Sequence, residues 1–147
     1  MKKTVQACFQ LLDNSVKEFS VTCEQKIAKE EGINLSGQVG FRIIDIFPKD
    51  NLFIGQIELI NDIDISTKNN KNAKIHISMI GLFNANIEIG KEKFEEMLKI
   101  NGATTLSHFT RTYVQAVTSL SGMPTIITPM MNFVEFFKNE EDKIDKN

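Results

Sequence analysis

The residues of this chain best equipped for chemistry are Cys8, Cys23, Asp62, Asp64, His76 and His108. Cys8 and Cys23 are the only cysteines, there is no C-x-x-C, and the two histidines lie far apart in the chain. That spacing predicts neither a disulfide framework nor a zinc site, and two buried free thiols are expected. Asp62 and Asp64 stand two apart on an alternating segment, which puts both on one face of a strand. A solvated acidic face is expected there in preference to a metal. His108 falls beside the apolar stripe of a helix as a packed or interface histidine, and His76 on the polar face of a strand as a solvated one. No nucleophile, base and orienting group converge, and there is no GxSxG, P-loop, GxGxxG or HExxH. The expectation is no enzyme, no metal and no cofactor.

Composition narrows the alternatives. The 147 residues are 41% hydrophobic and 24% charged, which suits one domain with a real core. The net charge of −2 supplies no basic field for nucleic acid. No apolar run is long enough to insert stably in a membrane. The N-terminus, MKKTVQACFQLLDN, has two lysines but neither a long apolar stretch nor a small-residue cleavage site. It reads as mature protein, with the cytoplasm as the expected location. Eleven Phe and six Met, with no Trp, predict a greasy and adaptable interior.

The elements that would position a site follow from periodicity. FSVTC at 19–23, VGFRIIDIF at 39–47 and FIGQIELINDIDIS at 53–66 read as strands. From Ala73 to Ile89 every odd position is Ala, Ile, Met, Gly or Phe, while Ile80 and Leu82 form an apolar island on the even face. STKNNKNA between the last two strands is a hairpin loop by composition. Four strands joined mostly by short turns predict an antiparallel sheet with one face free for another layer. The segment 27–35 reads as a loop or a single turn.

After Gly90 the period changes. KEKFEEMLKING predicts a short amphipathic helix carrying Phe94, Met97 and Leu98, closed at Asn101-Gly102. Thr104 or Thr105 then caps a helix to about Ser121, with Leu106, Phe109, Tyr113, Ala116, Val117 and Leu120 on one stripe. Gly122 and Pro124 end it. MPTIITPMM is apolar but bracketed by prolines, so it cannot be regular helix. A last helix begins near Asn132, with Phe133, Phe136 and Phe137 on one side. Residues 138–147 are charged and expected to fray into disorder, leaving 1–137 as one domain.

The run SGMPTIITPMMNFVEFF is similar to the SecB family of protein-export chaperones. SHFTRTYVQAVTSLSG resembles that family's long helix, VKEFSVTCE its first-strand segment, and GLF at 81–83 its glycine-aliphatic-aromatic run. The similarity spans roughly 5–137 and is strongest over 104–137. It implies an α+β fold: a four-stranded antiparallel sheet with a long helix and a shorter C-terminal helix packed on one side. It also implies a dimer of dimers that binds unfolded preproteins in hydrophobic grooves without ATP. By position, the implied groove residues are Leu82, Phe83, Phe94, Met97, Met130, Phe133 and Phe137. Delivery to the SecA motor uses an acidic surface in that family. Here Glu18 keeps one acid, Thr22 replaces a second, and His76 stands in the place of another, so holding clients carries over better than delivery. SecB-like proteins that protect an antitoxin are an equal match. Phe109, Tyr113 and Val117 are the expected oligomer contacts of a homodimer or homotetramer. The competing expectation is a SecB-like domain that binds a dedicated apolar ligand or a fixed protein partner.

Overall fold

Alternation of β-branched and polar residues becomes four long strands: β1 (Phe9–Cys23), β2 (Ile33–Lys49), β3 (Leu52–Thr67) and β4 (Asn72–Asn86). The computed structural model, which describes residues 1–144, pairs them antiparallel in the order β1-β4-β3-β2. Asp50 and Asn70 take left-handed backbone at the two hairpin tips, φ 54° and 59°. Their short polar side chains tolerate that conformation better than most. The odd residues of β3 and β4 face one side and form most of the core: Ile57, Leu59, Ile63, Ile65, Ile75, Ile77, Met79 and Phe83 are all buried.

β1 begins ten residues before the FSVTC segment that its alternation suggests. Register shifts between Leu11 and Asp13 and between Val16 and Glu18 explain why. Each inserts a residue and flips the phase, so core-facing positions run Phe9, Leu11, then Asn14, Val16, then Phe19, Val21. Residues 27–32 are the turn expected, with Ile27 buried in it, but Ile33 already belongs to β2, so the loop ends earlier than 35. Cys8 and Cys23 are both exposed, against the expectation of buried thiols. Cys8 precedes the strand, and Cys23 sits at its end, beyond the cover of the core.

The other face of the sheet is held by one carboxylate. Glu58 of β3 is buried, and it accepts hydrogen bonds from Ser78 of β4 at 2.5 Å, Lys17 of β1 at 3.0 Å and Arg42 of β2 at 2.5 Å. Burial alone pushes its carboxyl up. The bonds from Ser78, Lys17 and Arg42, with the Arg42 charge, outweigh burial and bring it down to about 2. All four strands meet at this group. Ile80 and Leu82 lie further along the same face.

The helical layer covers the odd face. α1 (Lys91–Met97), a π-helical turn (Leu98–Gly102) and α2 (Ala103–Leu120) form one unbroken helix. The expected stop at Asn101-Gly102 does not occur. Gly102 stays helical at φ −64°, and the Thr104 and Thr105 hydroxyls donate to the carbonyls of Ile100 and Asn101 four residues back, with no cap. Gly102 is needed for closeness to the sheet: a Cβ there would stand 2.8 Å from Ile57 Cδ1. Gly55 is a similar notch, where a Cβ would meet Leu98 at 2.6 Å and Phe94 at 2.9 Å. Both neighbours are fully buried, so Gly55→Ala should cost about 1–3 kcal/mol through overpacking. A thermal melt unchanged from wild type would show that the helix has room to retreat.

The buried line of α2 also differs from the expected stripe. It runs Ala103, Leu106, Thr110, Val114, Thr118, leaving Phe109, Tyr113 and Leu120 exposed. Thr110 and Thr118 tolerate burial because their hydroxyls are bonded, Thr110 to Asn61 Nδ2 and the Ser107 carbonyl, Thr118 to the Val114 carbonyl. α3 (Phe133–Ile144) is capped by Asn132, whose side chain accepts from the Glu135 amide. It continues as helix through the charged segment expected to be disordered from 138; that expectation for 145–147 lies outside the described residues. Among the described residues, no helix is long and apolar enough to cross a membrane.

Candidate functional site

Why the chain sets an apolar, proline-bracketed segment between two helices is answered by its burial. Residues 121–132 form an irregular strap across α2, entered at Gly122 with φ 77°. Met123, Pro124 and Ile126 are buried, while Ile127 and Met130 are 51% and 69% exposed. The inward half completes the core, and the outward half is apolar surface. Two hydrogen bonds fix the path. The Ile126 amide donates to Thr118 Oγ1 at 2.9 Å, and Arg111 Nε donates to the Thr128 carbonyl at 2.7 Å. Thr118→Val keeps the shape but strands the buried Ile126 amide. It should cost about 1–2 kcal/mol and release that amide to hydrogen exchange; full protection in the variant would mean another group holds the strap.

The strap, α2 and the sheet edge enclose a cleft of about 340 Å³. Its floor is the first half of β2 with Asn61, Asp62 and Ile63 of β3, and its walls are Ser107 and Thr110 of α2, Thr128, Pro129 and Met131 of the strap, and Phe136. β2 is an edge strand. Gly37 keeps the floor low: a Cβ there would touch only the backbone of Asp62 and Ile63, with nothing above it. A second cleft of about 560 Å³ lies on the other flank of α3, between it and α1 with the π turn. Met97, Ile100, Val134 and Phe137 give it an apolar base, and Glu92, Lys93, Glu95, Glu96, Lys138 and Glu141 stand around it. α3 divides the two spaces, with Phe136 toward the first and Phe137 toward the second. Phe137 is held by edge contacts with Phe41 and Phe136, ring centres 5.1 and 5.0 Å away, and by Lys99 Nζ 5.8 Å over its face.

The seven expected groove residues separate into three groups. Met97 and Phe137 line the second cleft, and Met130 borders a small recess with His108 and Arg111. Phe83, Phe94 and Phe133 are buried beneath the clefts, with Phe94 stacked on Phe53 and tilted against Phe9. Leu82 faces the opposite side of the sheet from its neighbour Phe83. Leu35, Gly37, Val39 and Phe136 of the first cleft are not among the seven. Their signal is the odd-numbered line Ile33, Leu35, Val39, Phe41, Ile43, which starts inside a segment read as a loop.

Glu18 and His76 do lie together. His76 Nδ1 is 2.6 Å from Asp62 and Nε2 is 3.6 Å from Glu18. The His76 pKa is raised, chiefly by the hydrogen bond to Asp62, with burial opposing and the Asp62 and Glu18 charges assisting. The half-buried imidazole is therefore engaged by both acids and is not a free solvated one. Phe109 and Tyr113 are 40% and 36% exposed on the outer flank of α2, and Tyr113 packs edge-on against Phe19 of β1 at 5.1 Å.

This order of elements, a four-stranded antiparallel sheet under one long helix and a short C-terminal helix, is the SecB-like chaperone fold. Among solved structures, the SecB-like chaperone Rv1957 of Mycobacterium tuberculosis, in complex with a ChAD peptide from the Rv1956 HigA1 antitoxin, matches with a TM-score of 0.61. The match covers 84% of this chain and 91% of that one at 15% identity. A Streptococcus agalactiae protein of unknown function aligns over 82% of this chain and 96% of its own at 9% identity, TM-score 0.45. No protein-family model and no curated protein matches the sequence.

Proposed function

We propose that this protein is an ATP-independent holdase, a binding protein and not an enzyme, that keeps non-native polypeptide extended against the clefts on either side of α3. The observation that carries this is the half-exposed apolar surface made by the strap and α3 above a ready-made core. Ile127, Met130 and Val134 are exposed next to two open clefts. Each apolar side chain buried there would gain about 1.5–3 kcal/mol, and several weak contacts along one chain add up to tight, unselective binding. Flexible Met side chains suit varied sequences. The fold shared with a chaperone solved with an antitoxin peptide supports the reading, and it favours antitoxin-type clients. His76, drawn between Asp62 and Glu18, weakens the acidic surface that docking to SecA would need, which puts export delivery second.

The assembly proposed is a homodimer or homotetramer in the cytoplasm, formed through the flank of exposed Phe109 and Tyr113 with half-buried Val117. The test is refolding of a slow-folding preprotein diluted from denaturant without ATP. Arrest of refolding near one assembly per client supports the holdase. Unchanged refolding, with a small apolar molecule co-purifying in the 340 Å³ cleft, would point to a dedicated ligand.

A further inference from the structure

Arg111 is the only formally charged residue between Ile100 and Val134, a stretch with no Asp, Glu or Lys. Its side chain is half-buried, and only its Nε is engaged, by the Thr128 carbonyl at 2.7 Å. Among the described residues it has no carboxylate within ion-pair distance, and its terminal N–H groups have no partner. They remain accessible. The bond to Thr128 fixes the guanidinium beside a small recess shared with Ser107, His108 and Met131. Ser107 and Met131 also line the 340 Å³ cleft, so the recess adjoins it. No acidic side chain lines the recess. Arg111 also points away from the aromatic flank: two residues beyond Phe109 on a helix is a rotation of about 200°.

We infer that Arg111 recognises a carboxylate of the bound chain, so the cleft selects extended apolar segments that carry an acidic group at the strap end. This rests on the cleft being the client site. A planar guanidinium whose terminal N–H groups are exposed and without a protein partner matches a carboxylate in two parallel, charge-assisted hydrogen bonds. The carboxylate is either the C-terminus of the client or an acidic side chain.

Fluorescence anisotropy at low salt tests this with two pairs of short apolar peptides on the intact protein. One pair differs by a free C-terminal carboxylate or an amide. The other, amidated throughout, differs by one internal Glu or Gln. Wild type should prefer the acidic member of one pair by about tenfold, and that pair names the source. The preference should shrink with added salt. Arg111→Gln can still donate to Thr128 but has no charge. It should bind both members of each pair as wild type binds the neutral ones. Equal affinity of wild type for acidic and neutral peptides overturns the inference. So does loss of neutral-peptide binding in Arg111→Gln, which would make the residue only a fastener of the strap. A changed sedimentation size with unchanged peptide preference would assign the cation to contact between copies. If no peptide binds wild type, the cleft itself is not the client site and the inference falls with it.

Discussion

Phe137→Asp should leave a folded protein that no longer arrests client refolding, whereas Phe133→Asp should not hold its helical layer at all. The two residues stand one helical turn apart and differ in surroundings. Phe133 is 2% exposed, so an aspartate there would bury a charge with no partner, at a cost of several kcal/mol that rivals the whole stability of a domain this size. Phe137 lies at the surface of the second cleft, where a carboxylate can reach water. The variant loses the packing against Phe41 and Phe136 and the Lys99 contact, but the sheet and the long helix keep their own core. Its thermal melt should remain cooperative, and Phe137→Leu should restore part of the holding activity. A Phe137→Asp protein that holds clients as well as wild type would remove the second cleft from the binding surface.

Glu58→Gln should lower stability by about 2–3 kcal/mol near neutral pH, and it should flatten the acid limb of the stability curve. The loss is below the range for a fully buried ion pair because Lys17 and Arg42 are about half exposed and water takes over part of their solvation. The sign follows from linkage. The folded carboxyl is held at about 2 against an ordinary value of 4.5, so its stabilisation is complete above about 4.5 and disappears as pH falls through about 2. Melting temperatures of wild type and variant, measured down that range, should converge toward its lower end. Parallel curves at every pH would mean that the charge of Glu58 contributes nothing to folding.

The fold was more legible in the sequence than the site, for reasons that sit in particular residues. β4 reads cleanly because its odd positions, Ala73 to Ala85, stay in phase against β3 without a break. β1 is obscured by two inserted residues that reset the period every few positions. Asn101-Gly102 reads as a helix end because that pair usually is one; the close approach of Ile57 makes a glycine necessary in mid-helix instead. Thr110 and Thr118 are too polar to join an apolar stripe by type, yet both are buried because their hydroxyls are bonded. The seven groove residues follow from position in the SecB resemblance, which carries no information on depth. Burial then separates Phe133 from Phe137, a distinction that depends on how α3 lies on β2 and has no trace in composition.

The π turn has a mechanical consequence of its own. A regular helix turns each successive residue by about 100°, so one extra residue taken into a wide turn delays everything after it by about that angle. The buried Phe94 and Leu98 come before the delay, and Leu106, Thr110 and Val114 after it, and all of them meet the same sheet. The turn therefore acts as a phase corrector for a rod too long to stay in register with a sheet unaided. A chain one residue shorter between Leu98 and Gly102 would keep its helix and lose its alignment: with α2 seated, α1 would turn Phe94 out from between Phe9 and Phe53, and the wall of the second cleft would rotate with it.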